Sequence, residues 1–141
     1  MKRTATAKWQ GDLKTGKGNI STQSGVLKDA QYGFNTRFED GAGTNPEELI
    51  GAAHAGCFTM ALSGQLAAKN VTAKSLETTA NVHMEKLDAG WTVTKVDLFL
   101  KAEVPGISKE DFETATNNAK TGCPISRLLN TTITLTSELI A

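Results

Sequence analysis

The chain has 141 residues, 39% hydrophobic and 21% charged, a length that suits one domain with its own core and needs no staple of disulfides or zinc. Fifteen basic residues balance fifteen acidic ones, so net charge draws it neither to nucleic acid nor to an anionic membrane, and neither partner is expected. No stretch approaches the roughly 20 apolar residues of a membrane span, and MKRTATAKWQGD carries two early basic residues with no apolar run behind them, so a soluble, cytoplasmic protein is expected.

The first third alternates weakly and is punctuated by glycine. TATAKWQGD, KGNISTQSG and QYGFNTRFE read as short strands joined by turns. In the third segment Tyr32, Phe34, Thr36 and Phe38 fall on one side at period two, which turns Arg37 away from the Phe face. KTGKGN, with Gly16 and Gly18, reads as a turn and not as a phosphate loop.

The loop DGAGTN delivers the chain to a helix start, with Asn45 at the N-cap, Pro46 at N1 and Glu48 at N3 as a capping-box acid. The helix is expected from 46 to about 69. Gly51, Ala52, Ala53, Ala55 and Gly56 leave it without a bulky side chain on any face there, which suits a central helix packed closely against other backbone.

SLETTANVHMEKLD and WTVTKVDLFLKAEV form two longer strands joined around Asp88-Ala89-Gly90. Ser108 to Asp111 is a second capping box, opening a helix to about Lys120. TGCPISRLLN breaks it at Thr121-Gly122 and starts a short helix at Pro124, with Cys123 at or beside its N-cap; TTITLTSEL is the last strand. The order β-β-β-α-β-β-α-α-β gives the α+β class, with antiparallel strand runs in a single domain over residues 1–141.

Two cysteines in a reducing cytoplasm are free or redox-active more readily than structurally bridged. Cys57 reads either as a small core residue or as a nucleophile. In mid-helix it gains nothing from its own helix N-terminus, so a nucleophilic Cys57 needs a cation from elsewhere. Arg37 is the arginine best placed for that; Arg3 is near the terminus, and Arg127 could serve Cys123 instead. Glu47 and Glu48 suit the helix dipole, and either could grip an arginine in a bidentate fork. Cys123 reads as a junction residue or as a thiol favoured by the free N–H groups of the helix it precedes. His54, three residues before Cys57, could pair with it but suits a packed role better. With His83 there are four soft ligands, but no CxxC or HxxxH pair, so no metal and no cofactor are expected.

YGFNTRFE, GTNPEELIGAAHAGCFTMAL and AKTGCPISRLL together resemble the OsmC/Ohr family of thiol-dependent peroxidases over nearly the whole chain, with both cysteine motifs at matching separation. The resemblance implies that Cys57 is the peroxidatic cysteine, Cys123 the resolving one, and Arg37 with Glu47 the pair that orients the peroxide. Glu47 is carried over in preference to Glu48 because relatives with NPEQL keep only the first acid. It also implies an intertwined homodimer, with antiparallel sheets wrapped around two central helices. An organic hydroperoxide is the implied substrate and a small or lipoyl-type dithiol the reductant. Leu49, Phe34, Phe38, Phe58 and Met60 either line an apolar approach or belong to the core.

Overall fold

A computed structural model describes residues 1–140, and its contacts divide into two compact units, residues 1–49 and 50–141. In the first unit β1 (Ala5–Gln10), β2 (Lys17–Thr22) and β3 (Ala30–Tyr32) form an antiparallel sheet in the order β1-β2-β3. The β1–β2 turn is closed by Asp12, whose Oδ1 accepts from the backbone N–H and hydroxyl of Thr15 at 2.6 and 2.7 Å. Gly18 pairs with both Trp9 and Tyr32, whose rings meet edge to face at 5.6 Å. A Cβ on Gly18 would come within 2.4 Å of the Tyr32 ring, so only glycine lets the two aromatics close over this strand.

The expected third strand stops at Tyr32. YGFNTRFE continues instead as a five-residue helix, α1 (Phe34–Phe38). Thr36 decides the matter locally: its buried hydroxyl accepts from the Gly33 N–H at 2.8 Å and donates to the Gly33 carbonyl at 3.0 Å, closing a helical turn. Phe34 and Phe38 then meet as i,i+4 neighbours with ring centroids 4.9 Å apart. Arg37 is accordingly not turned away from the aromatics, since its guanidinium lies 5.5 Å from the centre of the Phe38 ring.

The long helix α2 runs Pro46–Ala68 and starts as expected, with the Glu48 N–H donating to Asn45 Oδ1 at 2.7 Å. Glu48 does not complete a capping box, because its carboxylate accepts from the Thr44 hydroxyl at 2.7 Å.

In the second unit β4 (Ser75–Leu87) and β5 (Gly90–Glu103) form a hairpin over Asp88-Ala89, with a bulge between His83 and Met84. Helices α3 (Lys109–Gly122) and α4 (Pro124–Leu128) follow; Ser108 caps α3 by accepting from the Asp111 N–H at 3.1 Å. Strand β6 (Thr132–Ile140) completes the sheet β4-β5-β6, paired parallel to β5 and not antiparallel as expected. The intervening helices act as a crossover that returns the chain to the same end of the sheet, and a parallel neighbour requires such a crossover.

The sheet's inner face carries Val96, Leu98, Leu100 and Ala102 from β5, packed with Phe58, Leu62 and Leu66 of α2 and Phe112, Ala115 and Ala119 of α3. On α2 the buried positions Gly51, His54, Phe58, Leu62 and Leu66 recur every three or four residues, as one helical face requires. Close packing of this helix therefore holds on one side only. Ala53, Gly56, Met60, Ser63 and Ala67 lie exposed on the other, and Phe58 is core and not part of an approach to any site.

Candidate active site

Within residues 50–140 the helices bring the two sulfurs together. Cys57 is half-buried in α2, Cys123 is 1% exposed at the N-cap of α4, and neither is in a disulfide. Burial pushes the Cys57 thiol above its ordinary value; the backbone N–H of Ile125 pulls the other way, while the neighbouring Cys123 sulfur raises it further. Cys123 ends below its ordinary value. Burial pushes it up, but the Ser126 hydroxyl, the Ser126 N–H, the Cys57 thiol and the Ile125 N–H together outweigh that. The helix-terminal help foreseen for Cys123 is present, and the Ile125 N–H extends it to Cys57 in spite of its mid-helix position. Arg127 is exposed and is not among the groups acting on Cys123.

Ser126 escaped the sequence reading. It sits at N3 of α4, where its N–H donates to Cys123 Sγ at 3.3 Å and its hydroxyl oxygen lies 3.2 Å from that sulfur. The signal was available in CPIS: a cap residue is bonded by the N–H of N3, so the residue three after Cys123 had to lie against the sulfur. His54 is fully buried, and its Nε2 lies 2.7 Å from Ser126 Oγ. Burial lowers its pKa below the ordinary 6.5, leaving the ring neutral at pH 7. His83 lies on the outer sheet face, 2.7 Å from Asp97.

Within residues 1–49, Arg37 and Glu47 form the fork that bidentate recognition requires. Nε donates to Oε1 at 3.0 Å and Oε2 at 3.2 Å, and Nη2 donates to Oε1 at 2.6 Å. With Glu48 held by Thr44, Glu47 is the acid that meets this arginine. Arg37 borders a cavity of about 130 Å³ whose other walls are Trp9, Leu13, Tyr32, Gly33, Phe34 and Phe38.

The family model for OsmC-like protein matches residues 39–138. The chain is similar to peroxiredoxin OsmC of Escherichia coli, 53% identical over 94% of this chain and 93% of that one. It is also similar to the organic hydroperoxide resistance protein OhrA of Bacillus subtilis, 34% identical over 68% and 67% of the two chains. Its fold follows the crystal structure of OhrB of Bacillus subtilis with a TM-score of 0.68, 26% identity and coverage of 97% and 98%.

Proposed function

The chain belongs to the OsmC-like protein family, and from that premise we propose that it is a thiol-dependent peroxidase for organic hydroperoxides. The observation that carries the reading is the pairing of two free thiols, Cys57 on α2 and Cys123 at the head of α4, brought from distant parts of the sequence close enough for each to shift the ionisation of the other. A Cys57 thiolate attacks one peroxide oxygen, the O–O bond breaks, and the other oxygen leaves as alkoxide, to be protonated to the alcohol. Arg37, held by Glu47, orients the peroxide and stabilises the charge on the leaving oxygen. Burial of Cys57 opposes its ionisation, which is why the reading gives it a guanidinium. Cys123 attacks the resulting sulfenic acid, forming a disulfide and water and sparing Cys57 from overoxidation. A small or lipoyl-type dithiol then reduces the disulfide.

The apolar cavity beside Arg37 supports an organic substrate over hydrogen peroxide, since it can take a hydrocarbon group while the guanidinium faces the peroxide end. The family match runs across residues 49 and 50, which supports one domain over residues 1–141. A homodimer is supported by the exposed small-residue face of α2 and by the absence of any buried apolar side chain in residues 1–49. Among the described residues no helix is long and apolar enough to cross a membrane, in keeping with the proposed cytoplasmic location.

One equivalent of cumene hydroperoxide added to the reduced protein is expected to remove two hydrogens by mass and to yield a Cys57–Cys123 disulfide peptide. A protein that keeps both thiols under this treatment is not a two-cysteine peroxidase.

A further inference from the structure

Among the described residues His54 Nδ1 is the buried side-chain polar atom without a hydrogen-bond partner. An imidazole kept only to fill the core has no reason to bring a polar edge there, since burying it costs free energy that an apolar side chain would not. Its other nitrogen opens an unbroken string. Nε2 lies 2.7 Å from Ser126 Oγ, and Ser126 Oγ accepts from Cys123 Sγ at 3.2 Å. The string ends on the sulfur that resolves the reaction.

We propose that Ser126 and His54 form a proton relay that takes the Cys123 proton as this thiol attacks the sulfenic acid of Cys57, an assignment that rests on the two-cysteine peroxidase reading. Ser126, in contact with the reacting sulfur, is the catalytic member; His54 acts through it as a positioning and proton-storing residue. With the imidazole proton on Nδ1, Nε2 accepts from the Ser126 hydroxyl, which is thereby free to accept from the thiol. As the bond between Cys123 Sγ and Cys57 Sγ forms and the sulfenic S–O bond breaks, the thiol proton passes to Ser126 Oγ and the hydroxyl proton to Nε2. The hydroxide departs on the side of Cys57 Sγ away from Cys123 and takes a proton from solvent to become water, and the imidazolium gives up its own proton to solvent through Ser126, so the proton count closes. The products are one disulfide, one water and a neutral His54. Cys123 is oxidised and the Cys57 sulfur reduced, with no further oxidant.

The environment suits the task. Burial alone lowers His54, and no charged side chain contributes to that shift; Ser126 links the ring to the Cys123 thiol, and Cys57 lies three residues further along α2. A neutral ring can accept the proton at pH 7, and its low basicity lets the proton go again.

The test follows the reduced protein after cumene hydroperoxide by rapid quench and mass spectrometry, scoring Cys57 oxidation and disulfide closure separately. In Ser126→Ala the ratio of closure rate to oxidation rate is expected to fall on the order of 10²-fold at pH 7, the size of a general-base contribution. His54→Gln should follow it in direction, Ser126→Thr should restore closure, and the deficit should shrink as pH rises and Cys123 ionises unaided. Undiminished closure in a folded Ser126→Ala protein overturns the relay. Should that variant not fold, the unsubstituted protein decides: closure slower in D₂O than in H₂O supports proton transfer in flight, and equal rates overturn it. Failure of the unsubstituted protein to form the disulfide at all removes the peroxidase reading and the relay together, whereas unchanged ratios in the variants remove the relay alone.

Discussion

In residues 1–49 the chemistry is a guanidinium and a carboxylate near the surface, held by hydrogen-bond geometry in a unit that buries only Gly18, Gly33, Thr36 and Thr44. In residues 50–140 it is two sulfurs and an imidazole set into a core of aliphatic and aromatic side chains. The groups that need water and charge lie where the fold invests little apolar area, and the groups whose reactivity must be restrained lie where packing is tightest. Rate and stability should therefore separate between the two regions.

Phe58→Ala, in the centre of the core and 0% exposed, should lower the unfolding free energy by about 3–5 kcal/mol, read from the urea midpoint. A small effect would break the contrast at its heavier end. Arg37→Ala should cut turnover of an organic hydroperoxide on the order of 10²–10³-fold, the size seen for loss of a charge-stabilising donor. Its effect on stability should stay within about 1 kcal/mol, because the ion pair is partly exposed. Unchanged turnover in that variant would withdraw the arginine's role. The smallest expected effect is a pH dependence. His54 has a folded pKa below its ordinary 6.5, so its stabilising contribution is complete above 6.5 and is lost as pH falls from there toward the folded value. Urea titrations from pH 7.5 to pH 5 should show this slope in the native protein and a flatter one in His54→Gln.

Much of the second unit was legible in the sequence because its signals are redundant. Ser108 marks the start of α3, Pro124 that of α4, and Asp88-Ala89-Gly90 the hairpin, each through chemistry that has one local solution. Phe34 and Phe38 had two, since their spacing of four satisfies both a strand face and a helix face, and the hydroxyl of Thr36 settled it. The direction of β6 was not readable either, because a strand's own residues do not state which neighbour it joins or how the chain returns to it. At the site, the assignment of Glu47 came from family resemblance, and the fork with Arg37 supplies its geometry. Ser126 could have been read from the expected N-cap position of Cys123, since a residue at the cap itself, and not beside it, brings the third residue of α4 against the sulfur.

The parallel pairing of β6 bears on when the thiol pair can exist at all. Cys123 rides on a crossover whose far end is fastened by the nine residues of β6. In a nascent polypeptide made from its N-terminus, Cys57 is synthesised before its companion and waits with its helix, while Cys123 is moored only once β6 has followed it. A product truncated after Asn130 would carry both thiols and lack the anchor that holds them together, so premature termination should leave a chain open to irreversible oxidation at Cys57.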